Sequence, residues 1–359
     1  MKEPGMENKK LILCLDGTSN RYSKDNTNVV KLLALLDKRA NDQLVYYQPG
    51  IGTFVPPGVY GHVKQWILTR FDLAFATLLK YHVQDAYRFL MRYYEDGDEI
   101  YLFGFSRGAY TARVLAGMLF KVGLLAKGNE EMVPFAWQVY VKRDAAVSRG
   151  FRNTFGRKTP VTFLGLWDTV SSVRWALKTI HLPHTKDNPI VDTLRHAVSL
   201  DERRAYFRSN LWIDSARPGQ DVLQVWFPGV HCDVGGGYAE AQSGLSKVAL
   251  KWMVEQIGGR LAIHPTALAQ MLPDASNDQF AAPSAVASIH ESLRRWWWIA
   301  EFIPKRVHLS ANNTAQKWVL PRGRPRSVPA GSIIHPSIDE RTRAGIGYAP
   351  RNLPPGITL

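Results

Sequence analysis

The chain has 359 residues, of which 45% are hydrophobic and 21% charged, a composition that excludes disordered and fibrous proteins and a length that can bury a large core. Its two cysteines, Cys14 and Cys232, exclude a disulfide-rich scaffold and favour a reducing compartment. Forty-five basic and 31 acidic residues give a net charge of +14, which favours anionic partners such as nucleic acid, acidic lipid surfaces or phosphorylated substrates.

Short apolar runs alternate with helical repeats through most of the chain. Each predicted strand is a short apolar run stopped by a turn signal, and each predicted helix repeats its apolar residues every three to four positions. The predicted elements are a strand at 11–15, a helix from Val29 capped within Asn26–Asn28, a strand at 43–48, a helix over 72–95, a strand at 99–103, a helix over 107–122 ending at Gly123, a strand at 161–167, a helix over 190–204, a strand at 222–227 and a helix over 245–257. This alternation predicts an α/β fold, with a mostly parallel sheet covered by helices on both faces.

No clear boundary divides residues 11–359, so they are predicted to form one domain behind a polar tail of residues 1–10. Irregular, lid-like elaborations are expected around 171–190 and 265–330; the second begins in a stretch rich in Ala, Pro and Ser. Neither a signal peptide nor the roughly 20-residue apolar run of a transmembrane helix is visible. The protein is therefore expected to be cytoplasmic, with secretion that needs no cleaved signal left open.

Residues that can perform chemistry follow four of the predicted strands. These residues are Asp16, Ser106, Asp168 and His231. In an open parallel sheet, active sites form beyond the carboxyl ends of the strands. We therefore expect the four side chains to lie close together.

The segment Gly104–Gly108 (GFSRG) matches the G-x-S-x-G pattern of a nucleophile elbow and lies between a predicted strand and a predicted helix, as that turn requires. Its glycines allow a tight turn, and the amides at the start of the following helix favour the negative charge that develops in acyl transfer. Ser106 is therefore the predicted nucleophile. The alternative is a glycine-rich turn with a structural serine.

A serine nucleophile needs a histidine base and a carboxylate that orients the histidine. In this architecture the chain order is serine, acid, histidine, which favours Asp168 and His231. Asp168 could instead cap a helix, and His231 could be a loop histidine bonded to backbone. The rival acids are Asp201 and Asp233, and the rival bases are His196 and His335.

The turn after the first strand is the predicted position of an oxyanion-binding loop. Backbone amides of Gly17 or Thr18, together with that of Arg107, are expected to hold the tetrahedral oxyanion. Alternatively, this is an ordinary tight turn in which Asp16 hydrogen-bonds to its own backbone.

Two other functional classes stay open. In the first, a metal-dependent hydrolase, Asp16, His231 and Asp233 would gather a divalent ion, although no metal-binding motif supports this. The second is an inactive hydrolase fold that binds nucleic acid or anionic membrane, favoured by the net charge and the basic run Arg322–Arg326. The glycine clusters match no phosphate-loop or dinucleotide motif, so no cofactor is predicted. Because a metal-binding motif is also missing, no metal is predicted for the preferred function.

Three consecutive tryptophans, Trp296, Trp297 and Trp298, lie in a basic stretch typical of a membrane-interfacial segment. Their rings would lie at headgroup depth, and nearby cations would pair with acidic phosphates. Those cations are Arg294, Arg295, Lys305 and Arg306. The alternative is a core-packing helix with a solvated basic end, because tryptophans mostly bury against their own chain.

Several motifs of the chain occur together in one order. They are residues 11–20 (LILCLDGTSN), 50–53 (GIGT), 104–117 (GFSRGAYTARVLAG), 166–170 (LWDTV), 196–204 (HAVSLDERR), 226–237 (WFPGVHCDVGGG) and 335–337 (HPS). In combination they resemble the bacterial family of uncharacterised α/β hydrolases that includes the catalytic domain of the first type VI secretion lipase effectors. The resemblance covers roughly residues 10–345.

The resemblance implies an α/β-hydrolase fold and serine-dependent hydrolysis of lipid esters, phospholipids being the substrates of the characterised effectors. Ser106 matches the family's nucleophile, and Asp168 and His231 match motif positions suited to acid and base. The predicted function is thus a serine-dependent carboxylic ester hydrolase, a lipase or phospholipase, whose partner is a lipid or other ester and not a nucleic acid.

Overall fold

A computed structural model describes most of the chain. The described residues are 8–17, 22, 24–50, 63–142, 144–170, 182–213, 217–294, 297–302, 304–308 and 316–354. Residues 1–7 of the predicted tail and 171–181 of the first predicted elaboration lie outside these ranges.

A parallel sheet forms the centre of the described chain. The strands are β1 Lys10–Leu15, β2 Gln43–Gln48, β3 Glu99–Phe105, β4 Leu124–Leu125, β5 Gly156–Arg157, β6 Val161–Trp167, β7 Val191–Ser199, β8 Asp221–Phe227, β9 Lys305–His308, β10 Gln316–Val319 and β11 Ile333–Ile334. Seven of them form one sheet in the order β11-β8-β7-β6-β3-β1-β2, and all its neighbouring pairs are parallel. The short pairs β4–β5 and β9–β10 are antiparallel.

Helices cover both faces of this sheet. They are α1 Asn28–Leu35, α2 Val63–Tyr93, α3 Arg107–Val122, α4 Val133–Val141, α5 Ala145–Phe155, α6 His231–Gly235, α7 Gly244–Ile257, α8 Pro265–Met271, α9 Trp297–Glu301 and α10 Pro336–Arg343. The core on one face is built with α2 to α5 and the core on the other with α1, α7 and α8. The predicted α/β architecture is confirmed.

Strand β1 shows how an apolar run serves both layers. Leu11, Leu13 and Leu15 face the core beneath α2 and α3, while Ile12 and Cys14 face the core beneath α1 and α7. All five are buried, because successive side chains of a strand point to opposite faces and helices cover both faces of this sheet. A continuous apolar run is therefore what a central parallel strand requires.

The predicted helix over 190–204 is wrong, because this segment contains β7, a central strand between β6 and β8. Val191, Leu194 and Val198 are spaced by three and four residues, which imitates a helical repeat. The strand is buried on both faces, so the alternation that marks a half-exposed strand is missing.

The second predicted elaboration does not begin as a loop. Residues 265–271 form α8, whose Ala267, Leu268 and Met271 pack against the α1 and α7 layer. His264 caps this helix, since its Nδ1 accepts a hydrogen bond from the Ala267 amide at 3.4 Å. The start of the region is therefore part of the core, and irregular structure prevails only after it.

Gly108 allows α3 to begin directly beneath the end of β1. A Cβ atom at this position would lie 2.1 Å from the Leu15 carbonyl oxygen and 2.6 Å from that of Asp16. Both are backbone atoms of a buried strand end, so they cannot move aside without shifting the sheet.

Replacing Gly108 by alanine should therefore lower the free energy of unfolding by about 1–3 kcal/mol, the usual range for forcing extra volume into a packed interior. Urea unfolding followed by circular dichroism measures the change. Gly150→Ala is the matched control, because it lies exposed in α5 with nothing within 4 Å of the added Cβ. That variant should be more stable by about 0.5–1 kcal/mol, and equal effects at both positions would contradict the close approach.

Candidate active site

The candidate nucleophile, Ser106, occupies a strained turn between β3 and α3. Its φ is 58° and its ψ is −119°, a backbone conformation that a residue with a side chain rarely adopts. A Cβ at Gly104 would lie 2.6 Å from the Ala109 amide nitrogen, so only glycine allows the helix to fold back this closely. The predicted strand–turn–helix context of the GFSRG segment is therefore present.

His231 lies beside Ser106 and is the first residue of α6, which begins after a three-residue connection from the end of β8. Its Nε2 is 2.8 Å from Ser106 Oγ, which is hydrogen-bonding distance. The rings of Phe105 and Phe207 pack against the imidazole, with centroid distances of 4.6 and 4.9 Å. His231 is 3% exposed, so these rings and the sheet shield it from water.

Asp168 follows β6 and completes the hydrogen-bonded chain. Its Oδ2 is 2.5 Å from His231 Nδ1, and its Oδ1 accepts the Ser199 amide at 2.9 Å. Asp168 is fully buried and has a φ of 38°, so its backbone is also held in an unfavourable region. Three of the four predicted strand-end side chains therefore meet, each following a different strand.

The surroundings of Asp168 and His231 favour one protonation state for each of the two side chains. Burial alone would raise the pKa of Asp168, but the guanidinium of Arg326 and the ring of His231 outweigh it and hold that pKa well below its ordinary value. Burial also keeps the pKa of His231 below its ordinary value, although the Asp168 carboxylate opposes this. A neutral imidazole beside an ionised carboxylate is the state that can accept a proton from Ser106.

The predicted oxyanion loop is only partly present. The Gly17 amide donates to the carboxylate of its own neighbour, Asp16, at 2.7 Å, so in this structure it is not available to an oxyanion. Asp16 also accepts from Thr27 Oγ1 at 2.9 Å. Thr18 lies outside the described residues, whereas Arg107 opens α3 directly after Ser106.

The rival bases occupy structural positions away from Ser106. His196 is buried in β7, and its Nε2 accepts the Thr169 amide at 3.1 Å. Burial, helped by the charge of Arg113, lowers the pKa of His196 to about 3. His335 caps α10, and burial lowers its pKa to about 4. Neither histidine is hydrogen-bonded to Ser106, so they are not the partners that the alternative required.

The rival acids are likewise bound elsewhere. Asp201 accepts the Gly229 amide at 2.6 Å and the Tyr348 hydroxyl at 2.9 Å. Asp233 accepts the Val230 amide at 3.0 Å and lies 2.6 Å from Nδ1 of His290. Both therefore brace the loop and helix that carry the candidate base, without contacting its ring.

The metal-ligand set of Asp16, His231 and Asp233 is wrong as a cluster. Both ring nitrogens of His231 are occupied by Ser106 and Asp168, while Asp233 pairs with a different histidine. Within the described residues, no three His, Cys, Asp or Glu side chains are arranged to hold an ion.

The basic run at 322–326 divides between surface and interior. Arg322 and Arg324 are exposed, but Arg326 is 2% exposed and forks onto Asp168. Sequence reasoning assigned all three to a surface for anionic partners, which is wrong for Arg326. Nothing in its Pro-Arg-Ser context distinguishes a buried arginine from an exposed one.

The tryptophan segment has two roles within one short helix. Trp297 packs inward, its ring 5.5 Å from that of Phe207, which in turn contacts His231. Trp298 is 39% exposed and faces outward. Trp296 and Arg295 lie outside the described residues, as do the side chains of Lys305 and Arg306 in β9. The core-packing interpretation therefore applies to Trp297, while the interfacial interpretation of Trp298 stays a prediction.

Fold and site together define a class of protein. A parallel sheet whose central strand ends in a glycine-flanked serine turn, with a carboxylate after the neighbouring strand β6 and a histidine after β8, is α/β-hydrolase-like. The model of the family described as "T6SS, Phospholipase effector Tle1-like, catalytic domain" matches residues 9–256, more than half of the chain. The chain belongs to this family.

Similar proteins come from more than one kind of organism. The uncharacterized protein YEL023C of Saccharomyces cerevisiae is 42% identical over 219 residues, which cover 56% of this chain and 32% of the yeast protein. The similarity is thus not confined to bacteria. The chain spans about a third of this relative's length.

Two solved structures resemble the chain more distantly. An uncharacterized protein from Pseudomonas aeruginosa is 21% identical, with a TM-score of 0.43, covering 77% of this chain and 49% of that one. The Tle1 effector bound to the VgrG spike of the type 6 secretion system is 20% identical, with a TM-score of 0.39, covering 68% of this chain and 54% of that one.

The helices give no sign of a membrane span. Among the described residues, none combines the length and the apolar character needed to cross a bilayer. Cytoplasmic localisation stays a prediction.

The environment of Asp201 generates a pH-dependent stability. Burial raises the pKa of Asp201 to about 6, although hydrogen bonds from the Gly229 amide and the Tyr348 hydroxyl oppose it. The folded state then holds this proton more tightly than the unfolded chain, whose aspartates titrate near about 4. The contribution of Asp201 to stability should therefore fall as the pH rises from about 4 to about 6.

Asp201→Asn should remove this loss and raise the free energy of unfolding at pH 7 by about 1–2 kcal/mol, with little change at pH 4. Urea unfolding at both pH values measures it. The exposed Asp278→Asn serves as the control and should change neither value by more than about 0.5 kcal/mol. An Asp201→Asn variant that gains nothing at pH 7 would contradict the raised pKa.

Proposed function

We propose that the protein is a serine-dependent carboxylic ester hydrolase that acts on lipid esters, with phospholipids as the substrate class. The observation that carries this proposal is the buried chain in which Ser106 Oγ lies 2.8 Å from His231 Nε2 and His231 Nδ1 lies 2.5 Å from Asp168. Membership of a phospholipase effector family supports the substrate class.

In the first half of the reaction, His231 acts as a general base. Nε2 takes the proton of Ser106 as Oγ attacks the ester carbonyl, and Asp168 fixes the tautomer by accepting the Nδ1 proton. The imidazolium then donates the proton from Nε2 to the leaving alcohol. An acyl-enzyme on Ser106 results.

In the second half, water replaces the alcohol. His231 removes a proton from this water, which attacks the acyl carbonyl, and the protonated ring returns the proton to Ser106 Oγ as the fatty acid leaves. Cys232 is a weaker nucleophile candidate than Ser106, because burial raises the pKa of its thiol to about 12.

The oxyanion is assigned to amides at the start of α3. The Arg107 amide directly follows Ser106 at the helix N-terminus, where backbone donors and the helix dipole favour negative charge. A second donor from Thr18 stays part of the proposal. Gly17 would contribute only if its amide exchanged the Asp16 carboxylate for substrate.

We further propose that the outer face of α9 contacts an anionic membrane. Trp298, Ile299 and Phe302 are 39%, 48% and 60% exposed, which is unusual for three neighbouring apolar side chains. The exposed cations nearby are Arg294, Arg322 and Arg324. Exposed apolar groups bordered by cations suit a surface of acidic phospholipids.

This face lies close to the candidate site. On the inner side of α9, Trp297 contacts Phe207, and Phe207 contacts His231. A bilayer against Trp298 would therefore bring ester groups near Ser106. The helix that helps to enclose His231 on its inner side is therefore the one that we propose contacts the membrane on its outer side.

Ser106→Ala should lower turnover of a p-nitrophenyl ester and fatty-acid release from phospholipid vesicles by roughly 10⁴-fold or more, because the proposed acyl-enzyme forms on the Ser106 hydroxyl. A fluorophosphonate probe should label the wild-type protein at Ser106 only. Ser276→Ala, which removes an exposed serine, is the control and should behave as wild type. Full turnover by Ser106→Ala, or labelling elsewhere, would exclude the serine mechanism.

Replacing Trp298 and Phe302 together by serine should weaken binding to vesicles rich in phosphatidylglycerol by about 100-fold or more, since each buried aromatic side chain contributes about 1.5–3 kcal/mol. Co-sedimentation measures the binding, and hydrolysis of a water-soluble ester should stay unchanged. Phe155→Ser removes a 48% exposed ring at the end of α5 and serves as the control. Equal losses for both variants would contradict a specific role for α9.

A further inference from the structure

Arg326 lies directly behind the carboxylate of Asp168. Its two terminal nitrogens lie 2.5 Å from Oδ1 and 3.0 Å from Oδ2, the forked geometry of a bidentate ion pair. The guanidinium is 2% exposed, and Asp168 is fully buried. Both charges are therefore removed from water and depend on each other.

The remaining donors of Arg326 hold the guanidinium in place. One terminal nitrogen also donates to the Ser199 carbonyl at 3.0 Å and to Ser199 Oγ at 2.8 Å. Nε donates to the Phe207 carbonyl at 2.9 Å, and the other terminal nitrogen donates to the same oxygen. Arg326 thus joins the acid, the end of β7 and the residue whose ring packs on His231.

In the part of the chain that the structure describes, few charged groups act on the acid and the base. His231 faces Asp168, Glu202 and Arg204, and Asp168 faces Arg326 and His196. Arg204 is paired with Glu202. Apart from His231, the charged group that acts on Asp168 is therefore the guanidinium of Arg326. The positive charge of Arg326 therefore repels a proton that would bind to the Asp168–His231 pair.

We propose that Arg326 is a positioning residue for the hydrolytic reaction, which orients Asp168 toward His231 and keeps the pair unprotonated to lower pH. This inference rests on the proposed function. It also extends the reacting centre beyond residues 9–256, the part that matches the family model, because Arg326 belongs to the C-terminal segment.

The test is the pH profile of kcat/KM for a water-soluble ester, measured on the full chain. In Arg326→Gln the fork and the charge are lost, so kcat should fall at least tenfold with little change in KM. The acidic limb of the profile should move to higher pH by about one unit, because a proton binds more readily once the neighbouring cation is gone.

Arg326→Lys separates the charge from the fork. Lysine keeps the positive charge but cannot form two parallel hydrogen bonds to one carboxylate. We expect the acidic limb to stay at the wild-type pH while kcat falls severalfold. This variant also decides the question if Arg326→Gln does not fold, since a wild-type kcat for Arg326→Lys would then overturn the orienting role.

Arg341→Gln is the matched control. Arg341 is also buried and lies in the C-terminal segment, but its hydrogen bonds go to the carbonyls of Ala285 and Ala287. Its loss should lower the thermal unfolding temperature without moving the acidic limb. A limb that moves equally in Arg341→Gln and Arg326→Gln, or in neither, would overturn the proposal.

Failure of the positioning role and failure of the hydrolase assignment give different results. If the protein is not a serine hydrolase, fluorophosphonate does not label Ser106 in the wild type. If Arg326 has no positioning role, the wild type is labelled and the folded Arg326 variants hydrolyse ester with a wild-type pH profile.

Discussion

The strained turn at Ser106 is the constraint on which the rest of the site depends. The turn is held by two backbone hydrogen bonds at and just beyond the end of β6: the Ser106 amide donates to the Trp167 carbonyl at 3.0 Å, and the Ser106 carbonyl accepts from the Val170 amide at 3.4 Å. Trp167 and Val170 flank Asp168. Backbone hydrogen bonds alone therefore fix the position of the serine relative to the aspartate. The same hydrogen bonds help to hold both residues in their strained backbone conformations.

The sequence predicted the candidate triad because each member follows a strand, and parallel strands bring such positions together. It could not predict β7, since burial on both faces removes the alternation that identifies a strand. The error did not move Asp168 or His231, because those residues follow β6 and β8, whose apolar runs are short and clearly bounded.

Contacts between distant segments were beyond sequence reasoning. The pairing of Arg326 with Asp168 joins residues 158 positions apart, and an arginine in a polar turn gives no local sign of burial. The Gly17 amide illustrates the opposite case. The residue type suits an oxyanion donor, but the preceding carboxylate takes the hydrogen bond, a local competition that residue types alone do not decide.

The two-residue strand β11 has a consequence for any shortened form of the protein. Ile333 and Ile334 pair with Val225 and Trp226 of β8, and the His335 amide donates to the Trp226 carbonyl at 2.8 Å. Residues that follow the family-matched segment thus cover the outermost ladder of β8. A fragment cut after residue 256 would leave that ladder open to pair with another molecule, so such a fragment invites aggregation where the longer chain blocks it.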